Sequence, residues 1–244
     1  KIEDMLHVTE TVGGCGTAGS AAYFCEYVKS EIENSELFGA TRDERSKRLL
    51  RGGLTITTTL DMSKQAAADA AVQEYVPTGD PSNVKAALSS VEPGTGRIVA
   101  MSQNTNYGLA TEEDSSTTQI SFSADASHGG LENTDGTSGF QPGSTFKAFV
   151  LAEWYQEGHS GYETMNTSPA TFGPSSWRIS CDPSKADTWT VGNANASEGG
   201  THNVIQNTAM SINVGFARMT QQMDICDITR MAANLGVTTN SGQA

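Results

Sequence analysis

The sequence predicts an α+β fold in which helices pack on an antiparallel sheet. Three observations support this prediction: a β-hairpin pattern lies in the first half, helical patterns dominate the second half, and no run of βα units follows. Segregation of strands and helices along a chain is typical of α+β domains. With 244 residues, 36% of them hydrophobic, the chain is long enough to enclose a substantial core.

The first predicted elements are a helix over residues 20–34 and a second helix that begins after Thr41. Thr41 and Glu44 have the spacing of a capping box, and Gly52 ends this second helix. Residues 54–60 alternate and are rich in β-branched side chains, so they are predicted to form a strand.

A helix over residues 62–76, capped by Asp61, is predicted to precede a hairpin. The hairpin consists of strands over residues 84–91 and 97–102, joined through a Pro-Gly turn. Residues 103–139 are polar and have no periodicity, so they are predicted to form a long loop.

The regular elements predicted in the second half of the chain are helices. A helix runs from Ser144 to a stop at Gly158, and residues 160–200 are rich in loop residues. Three further helical segments follow toward the C-terminal end: residues 203–210, 214–223 and 224–235.

The chain is acidic, because 28 Asp and Glu residues against 15 Lys and Arg residues give a formal net charge of −13. Binding to nucleic acids or to anionic membranes depends on clustered basic residues, so neither is expected as a partner. No stretch approaches the ~20 apolar residues that span a bilayer. The chain starts at Lys1 and stops just after a predicted helix, so we expect it to be a piece of a longer protein.

Four cysteines occur as two spaced pairs, Cys15 with Cys25 and Cys181 with Cys226. None of the short spacings typical of zinc sites is present, so no metal is expected. An even number of cysteines favours disulfides and an oxidising compartment, and four cysteines allow three connectivities. The preferred pairing is Cys15–Cys25 and Cys181–Cys226, and four buried free thiols are the alternative.

Residues 141–147, Gln-Pro-Gly-Ser-Thr-Phe-Lys, combine a helix start with two groups that can react. The Pro-Gly pair suits a sharp turn into a helix, and Ser144 and Lys147 share one face of that helix. Apolar neighbours surround Lys147, so desolvation is expected to lower the pKa of its amine. A neutral amine one turn from a hydroxyl can accept its proton and activate Ser144 as a nucleophile. A lysine that extends to solvent is the alternative.

This heptapeptide resembles the active-site serine motif, S-x-x-K, of the penicillin-binding protein transpeptidases. Ser211-Ile212-Asn213 resembles the second motif of that family, S-x-N, and lies between two predicted helices. Residues 51–61 and 91–101 are similar to segments of the bifunctional class A members, and residues 23–28 are similar to the linker of actinobacterial ones. The resemblance covers nearly the whole chain and implies the fold shared by penicillin-binding proteins and serine β-lactamases.

The resemblance implies a D,D-transpeptidase that cross-links peptidoglycan stem peptides and is acylated by β-lactam antibiotics. It implies that Ser144 is the nucleophile, that Lys147 is its base and that Ser211 relays a proton to the leaving amine. Asn213 is expected to bind the substrate amide and Lys147. Ser and Asn are also good helix caps, and both residues can serve both purposes. No metal or organic cofactor is implied.

The third motif of the family, K-[ST]-G, is absent, since no lysine of the chain is followed by Ser or Thr and then Gly. We expect this motif beyond residue 244, so that the domain is C-terminally incomplete. Residues 1–53 are expected to be a linker that follows an absent glycosyltransferase domain, and residues 54–244 are expected to be the transpeptidase domain. The expected location is the extracytoplasmic face of the cell membrane, with an anchor in an absent N-terminal segment.

Other functions use the same residues. A D,D-carboxypeptidase differs only in using water as the acyl acceptor. A β-lactam sensor is acylated without turnover, and an inactive scaffold with the same fold is not acylated at all.

Overall fold

The computed structural model describes residues 14–111, 114–131 and 141–237, which form two compact units that divide near residue 140. The predicted boundary between a linker and a transpeptidase domain at residues 53 and 54 stays a prediction. The predicted linker includes residues 1–13 and the predicted transpeptidase domain includes residues 238–244. Both ranges lie outside the described residues. Within the described residues, no helix combines the length and the apolar composition needed to cross a bilayer.

The helices of the first unit are α1 (Ala22–Asn34), α2 (Arg42–Arg51) and α3 (Met62–Tyr75). A 3₁₀ segment, Gly14–Ala21, leads into α1. The capping box predicted at α2 is confirmed, because the Thr41 hydroxyl accepts from the Glu44 N–H while the Glu44 carboxylate accepts from the Thr41 N–H. Asp61 caps α3, as predicted, by accepting from two N–H groups of the first turn.

The predicted hairpin is present as β1 (Ala87–Val91) paired antiparallel with β2 (Ile98–Gln103). Helix α3 packs on this sheet, and its fully buried Gln65 joins the two layers. The Gln65 amide donates to the Met101 carbonyl oxygen at 2.8 Å and accepts from the Met101 N–H at 3.0 Å. A buried amide whose partners are in place fixes the position of the helix against the strand.

Two segments of the first unit differ from prediction. Residues 54–60, predicted to be a strand, find no partner strand among the described residues, and they are mostly exposed. The C-terminal end of this segment contacts the start of β2, where the Thr59 hydroxyl donates to the Ile98 carbonyl oxygen at 2.5 Å. A strand needs a neighbour for its backbone groups, and alternation of side chains does not supply one. The predicted loop over residues 103–139 contains a short parallel pair, β3 (Asn106–Tyr107) and β4 (Thr117–Thr118).

The helices of the second unit are α4 (Lys147–Gln156), α5 (Val204–Ala209), α6 (Asn213–Gln222) and α7 (Ile225–Asn234). Helices α4, α6 and α7 pack around a common core in which Trp154, Met219 and Met223 are fully buried. Burying an apolar side chain of this size contributes roughly 1.5–3 kcal/mol to stability. These side chains therefore fix the helices that carry the predicted motifs.

Four short strands of the second unit lie in and just after a segment predicted to be loop-rich, residues 160–200. β5 (Thr164–Asn166) pairs antiparallel with β8 (Thr201–Asn203), and β6 (Ala170–Phe172) pairs antiparallel with β7 (Trp189–Val191). Strands of three residues are too short to produce a recognisable alternation. Helices packed with small antiparallel sheets confirm the predicted α+β class.

The four cysteines form two disulfides, Cys15–Cys25 and Cys181–Cys226, which are the pairings preferred from the sequence. The first attaches the 3₁₀ segment to α1. The second attaches the loop before β7 to the first turn of α7. Their sequence separations are 10 and 45 residues.

Removal of the Cys181–Cys226 disulfide is expected to cost more stability than removal of Cys15–Cys25. Loop-closure entropy predicts about 4 kcal/mol for the longer loop and about 3 kcal/mol for the shorter one. The measurement is chemical denaturation of the two paired Cys→Ser variants, after non-reducing peptide mass spectrometry of the wild type. Four alkylatable thiols in the native wild-type protein would contradict the pairing.

Candidate active site

The sharp helix start predicted from the Pro-Gly pair is present. Gly143 has a left-handed backbone (φ 53°), which glycine adopts without the steric cost of a Cβ. The predicted helix begins as a 3₁₀ turn, Gly143–Phe146, which continues into α4. Because side chains three positions apart eclipse in a 3₁₀ turn, Ser144 lies beside Lys147.

Ser211 and Asn213 come from the turn between α5 and α6. Ser211 has φ 54°, an uncommon value for a residue with a Cβ. The turn is held by the Ile212 N–H, which donates to the Asn207 carbonyl oxygen at 2.9 Å. Ile212 is fully buried and anchors the turn, whereas Ser211 is exposed and Asn213 is half-buried. The S-x-N spacing thus puts two accessible polar groups on either side of one buried anchor.

The Lys147 amine contacts the other three predicted residues. Its Nζ lies 3.2 Å from Ser144 Oγ, 3.0 Å from Ser211 Oγ and 2.6 Å from Asn213 Oδ1. A fourth contact joins Nζ to the Ser211 main-chain oxygen at 2.7 Å. Ser144, Lys147, Ser211 and Asn213 therefore meet around one nitrogen.

The four contacts are compatible with a neutral amine and with an ammonium group. Two partners of Lys147 Nζ are carbonyl oxygens, which can only accept, and two are hydroxyls, which can also donate. The two N–H groups of a neutral amine satisfy both carbonyl oxygens and leave the lone pair free to accept from a hydroxyl. An ammonium group has three protons for the same four partners, so the contacts suit either protonation state.

The surroundings of Lys147 shift its pKa downward, in the direction of the neutral form. Burial lowers the pKa of Lys147, and the negative charge of Glu198 acts in the opposite direction. The ring centroid of Phe216 lies 5.4 Å from Nζ. Helix α4 itself is not buried on every side, since Ala148 is exposed and Tyr155 is 49% exposed. The desolvation therefore comes from the groups around the amine, not from a helix enclosed on every side.

A cleft of about 560 Å³ opens beside Ser144 and Lys147. Apolar side chains line much of the remainder of this cleft: Val150, Trp189, Val191, Phe216, Ile225 and Ile228. A pocket of this size with a few convergent polar groups is typical of a ligand site. A larger cavity of about 770 Å³ lies in the first unit, but its lining residues Glu26 and Lys29 form an ion pair at 3.1 Å. The reactive amine makes the smaller cleft the better candidate.

Three residues around the S-x-N turn were not predicted from the sequence. The Gly192 carbonyl oxygen accepts from Asn213 Nδ2 at 3.1 Å, and Asn193 Oδ1 accepts from the Val214 N–H at 3.0 Å. Glu198 is buried, and its charge acts on Lys147. Gly and Asn in a loop are typical of turns, so no spacing in the sequence distinguishes these positions.

Comparison with known proteins gives a consistent result. A family model described as the penicillin binding protein transpeptidase domain matches residues 87–243. Penicillin-binding protein 1A of Mycobacterium tuberculosis (strain ATCC 25618 / H37Rv) is 27% identical over 172 residues, which cover 68% of this chain and 16% of that protein. The solved structure of the penicillin-binding protein PonA1 from Mycobacterium tuberculosis matches with a TM-score of 0.57 at 22% identity. This match covers 87% of this chain and 46% of that one.

The chain therefore spans less than half the length of each relative. The likeness to the solved structure supports the predicted fold. The similarity to the curated Mycobacterium tuberculosis protein confirms the resemblance to class A, actinobacterial members. The family model covers well over half of the chain. The chain belongs to the penicillin-binding protein transpeptidase family.

Proposed function

We propose that this chain is the transpeptidase part of a class A penicillin-binding protein and catalyses D,D-transpeptidation through a serine acyl-enzyme. The main support for the proposal is that one nitrogen, Lys147 Nζ, lies within hydrogen-bond distance of both the Ser144 and the Ser211 hydroxyls. One base therefore reaches the nucleophile and a second hydroxyl that can pass a proton on.

In the first half-reaction, Ser144 Oγ attacks the carbonyl carbon between the two D-Ala residues of a stem peptide. The neutral Lys147 amine takes the hydroxyl proton. The amide C–N bond then breaks, and the leaving D-Ala amine receives the proton held by Lys147 through the Ser211 hydroxyl. The N-terminal end of the helix that carries Ser144 has a positive partial charge and is suited to stabilise the oxyanion. The product is an ester of Ser144.

In the second half-reaction, an amine of a neighbouring stem peptide attacks this ester. Lys147 accepts a proton from that amine and returns it to Ser144 Oγ as the ester bond breaks. Asn213 is assigned to the substrate amide: its Oδ1 accepts from Lys147, and its Nδ2 keeps one N–H beyond the contact with Gly192. A β-lactam acylates Ser144 in the same way.

The proposal includes the extracytoplasmic face of the membrane, with an anchor N-terminal to this chain. One observation supports this location: the chain has two disulfides, and disulfides persist in oxidising compartments. The location also agrees with the proposed substrate, because peptidoglycan lies outside the cytoplasm.

Product analysis of the full-length protein tests the function. With a D-Ala-D-Ala stem peptide and an amine acceptor, we expect release of D-Ala together with a cross-linked peptide. Release of D-Ala with hydrolysed peptide alone, at saturating acceptor, would identify a carboxypeptidase. Stoichiometric labelling by penicillin without D-Ala release would identify a sensor, and no labelling at all an inactive scaffold. Each of these three outcomes contradicts the proposal.

A further inference from the structure

Helix α6 begins without a side-chain cap of its own. Its N-cap residue is Ile212, whose side chain cannot accept a hydrogen bond, and Ile212 and Val214 are both fully buried. The first N–H groups of a helix have no partner within the helix, and burial excludes the water that could replace one. The Val214 N–H therefore needs an acceptor from elsewhere in the chain.

Asn193 supplies this acceptor from the loop after β7. Its Oδ1 accepts from the Val214 N–H at 3.0 Å, and its Nδ2 donates to the main-chain oxygens of Thr167 at 2.8 Å and Glu198 at 3.2 Å. These partners fix the orientation of the amide, because a main-chain oxygen can only accept and a main-chain N–H can only donate. Asn193 thus connects the start of α6 to the loop after β5 and to a later part of its own loop.

The neighbouring residue, Gly192, binds the side chain at the first position of α6. Its carbonyl oxygen accepts from Asn213 Nδ2 at 3.1 Å, which orients Asn213 Oδ1 toward Lys147 Nζ, 2.6 Å away. A shift of residues 192 and 193 would move this first turn and the contact with the amine. A misplacement of about 1 Å is enough to slow a chemical step about a hundredfold.

We propose that Asn193 is a positioning residue of the acylation step, which aligns Lys147 with Ser144 by holding the N-terminus of α6. This inference rests on the proposed function, because it requires Lys147 to be the base for Ser144. Asn193 acts through Val214 and Asn213, and not by contact with the reacting atoms.

The test is stopped-flow acylation of the full-length protein by a fluorescent penicillin. This measurement separates the acylation rate constant from the dissociation constant of the noncovalent complex and from the fraction finally labelled. For Asn193→Ala we expect the acylation rate constant to fall about thirtyfold to a hundredfold, while the labelled fraction stays complete. A role limited to folding would lower Tm and the labelled fraction and leave the rate constant unchanged, and that result would overturn the proposal.

Asn166→Ala is the matched control, since Asn166 is exposed and its side chain accepts from the Ser168 N–H of its own turn at 2.9 Å. Its acylation rate constant is expected to equal that of the wild type, and equal losses in both variants would overturn the proposal. If Asn193→Ala does not fold, the acylation rate constant of Asn193→Asp is measured in its place. This variant keeps an acceptor for the Val214 N–H but loses both donations of Nδ2 and turns an oxygen toward the main-chain oxygens of Thr167 and Glu198. The acylation rate constant is therefore expected to fall at least about tenfold, and a rate constant equal to that of the wild type contradicts the proposal.

The same experiment separates this inference from the function on which it rests. Wild-type protein that is not labelled on Ser144 would refute the proposed function. Wild-type protein that is labelled on Ser144, with Asn193→Ala equally fast, would refute only the role of Asn193.

Discussion

Ser144→Ala is expected to abolish covalent labelling of the full-length protein by a fluorescent penicillin and to stop D-Ala release. In the proposed mechanism the adduct is an ester of this side-chain oxygen, so the substitution removes the point of attachment as well as the nucleophile. Loss of a serine nucleophile lowers the rate by as much as about 10⁶-fold in a serine protease. The measurement is intact mass spectrometry, with peptide mapping of the labelled residue.

Thr145→Ala is the matched control for this substitution. Thr145 follows Ser144 in the same exposed 3₁₀ turn, so the control removes a hydroxyl from an adjacent position. Its labelling is expected to equal that of the wild type. Undiminished labelling of Ser144→Ala would remove Ser144 from the mechanism, and attachment to Ser211 would reassign the nucleophile.

Lys147→Ala is expected to slow acylation about 10²-fold to 10⁴-fold, with Ser144 still the labelled residue. The substitution removes the only nitrogen that contacts both hydroxyls in the described part of the site. The nucleophile remains, so slow labelling persists. Time courses of labelling measure the rate constant, and an unchanged rate constant would refute the role of Lys147 as base.

The pH dependence of acylation provides a second measurement on Lys147. An ammonium group cannot accept a proton, so the acylation rate rises with pH as the amine becomes neutral. Because burial lowers the pKa of Lys147, this rise is expected at a lower pH than for an exposed lysine. The rise disappears in Lys147→Ala. Lys185→Ala, which changes an exposed lysine in the same unit, keeps the wild-type profile, and a flat wild-type profile would contradict the prediction.

The most direct sequence predictions concern features whose partners lie within about one helical turn. Thr41 and Glu44 are three positions apart, and so are Ser144 and Lys147, so the capping box and the start of the site are local properties. Residues 54–60 show the limit of such signals: a β-branched alternation describes one strand, whereas a sheet requires a second segment that the pattern does not identify.

Contacts between distant segments could not be derived from spacing. Lys147 and Ser211 are 64 positions apart. Their proximity could be predicted only from the resemblance of Ser211-Ile212-Asn213 to a family motif. Asn193 lies 21 positions before Val214 in a loop whose composition indicates turns. Its three hydrogen bonds depend on how three segments are arranged in the folded protein. A periodic pattern within one segment does not predict that arrangement.

Lys147 Nζ makes two contacts with Ser211, one to the main-chain oxygen and one to the hydroxyl. The first contact can hold the amine in place without the second, to which the proposed proton transfer is assigned. The main-chain oxygen at 2.7 Å is present whatever side chain follows it, whereas the hydroxyl at 3.0 Å belongs to serine. Under the proposed mechanism, a change of side chain at 211 therefore alters the proton relay and leaves the contact between the amine and the main-chain oxygen in place. The direction of that oxygen depends on a backbone with φ 54°, which glycine and asparagine adopt readily and β-branched residues do not. The residue types that position 211 tolerates are therefore expected to depend first on whether they adopt this backbone conformation, and only then on the chemistry of the side chain.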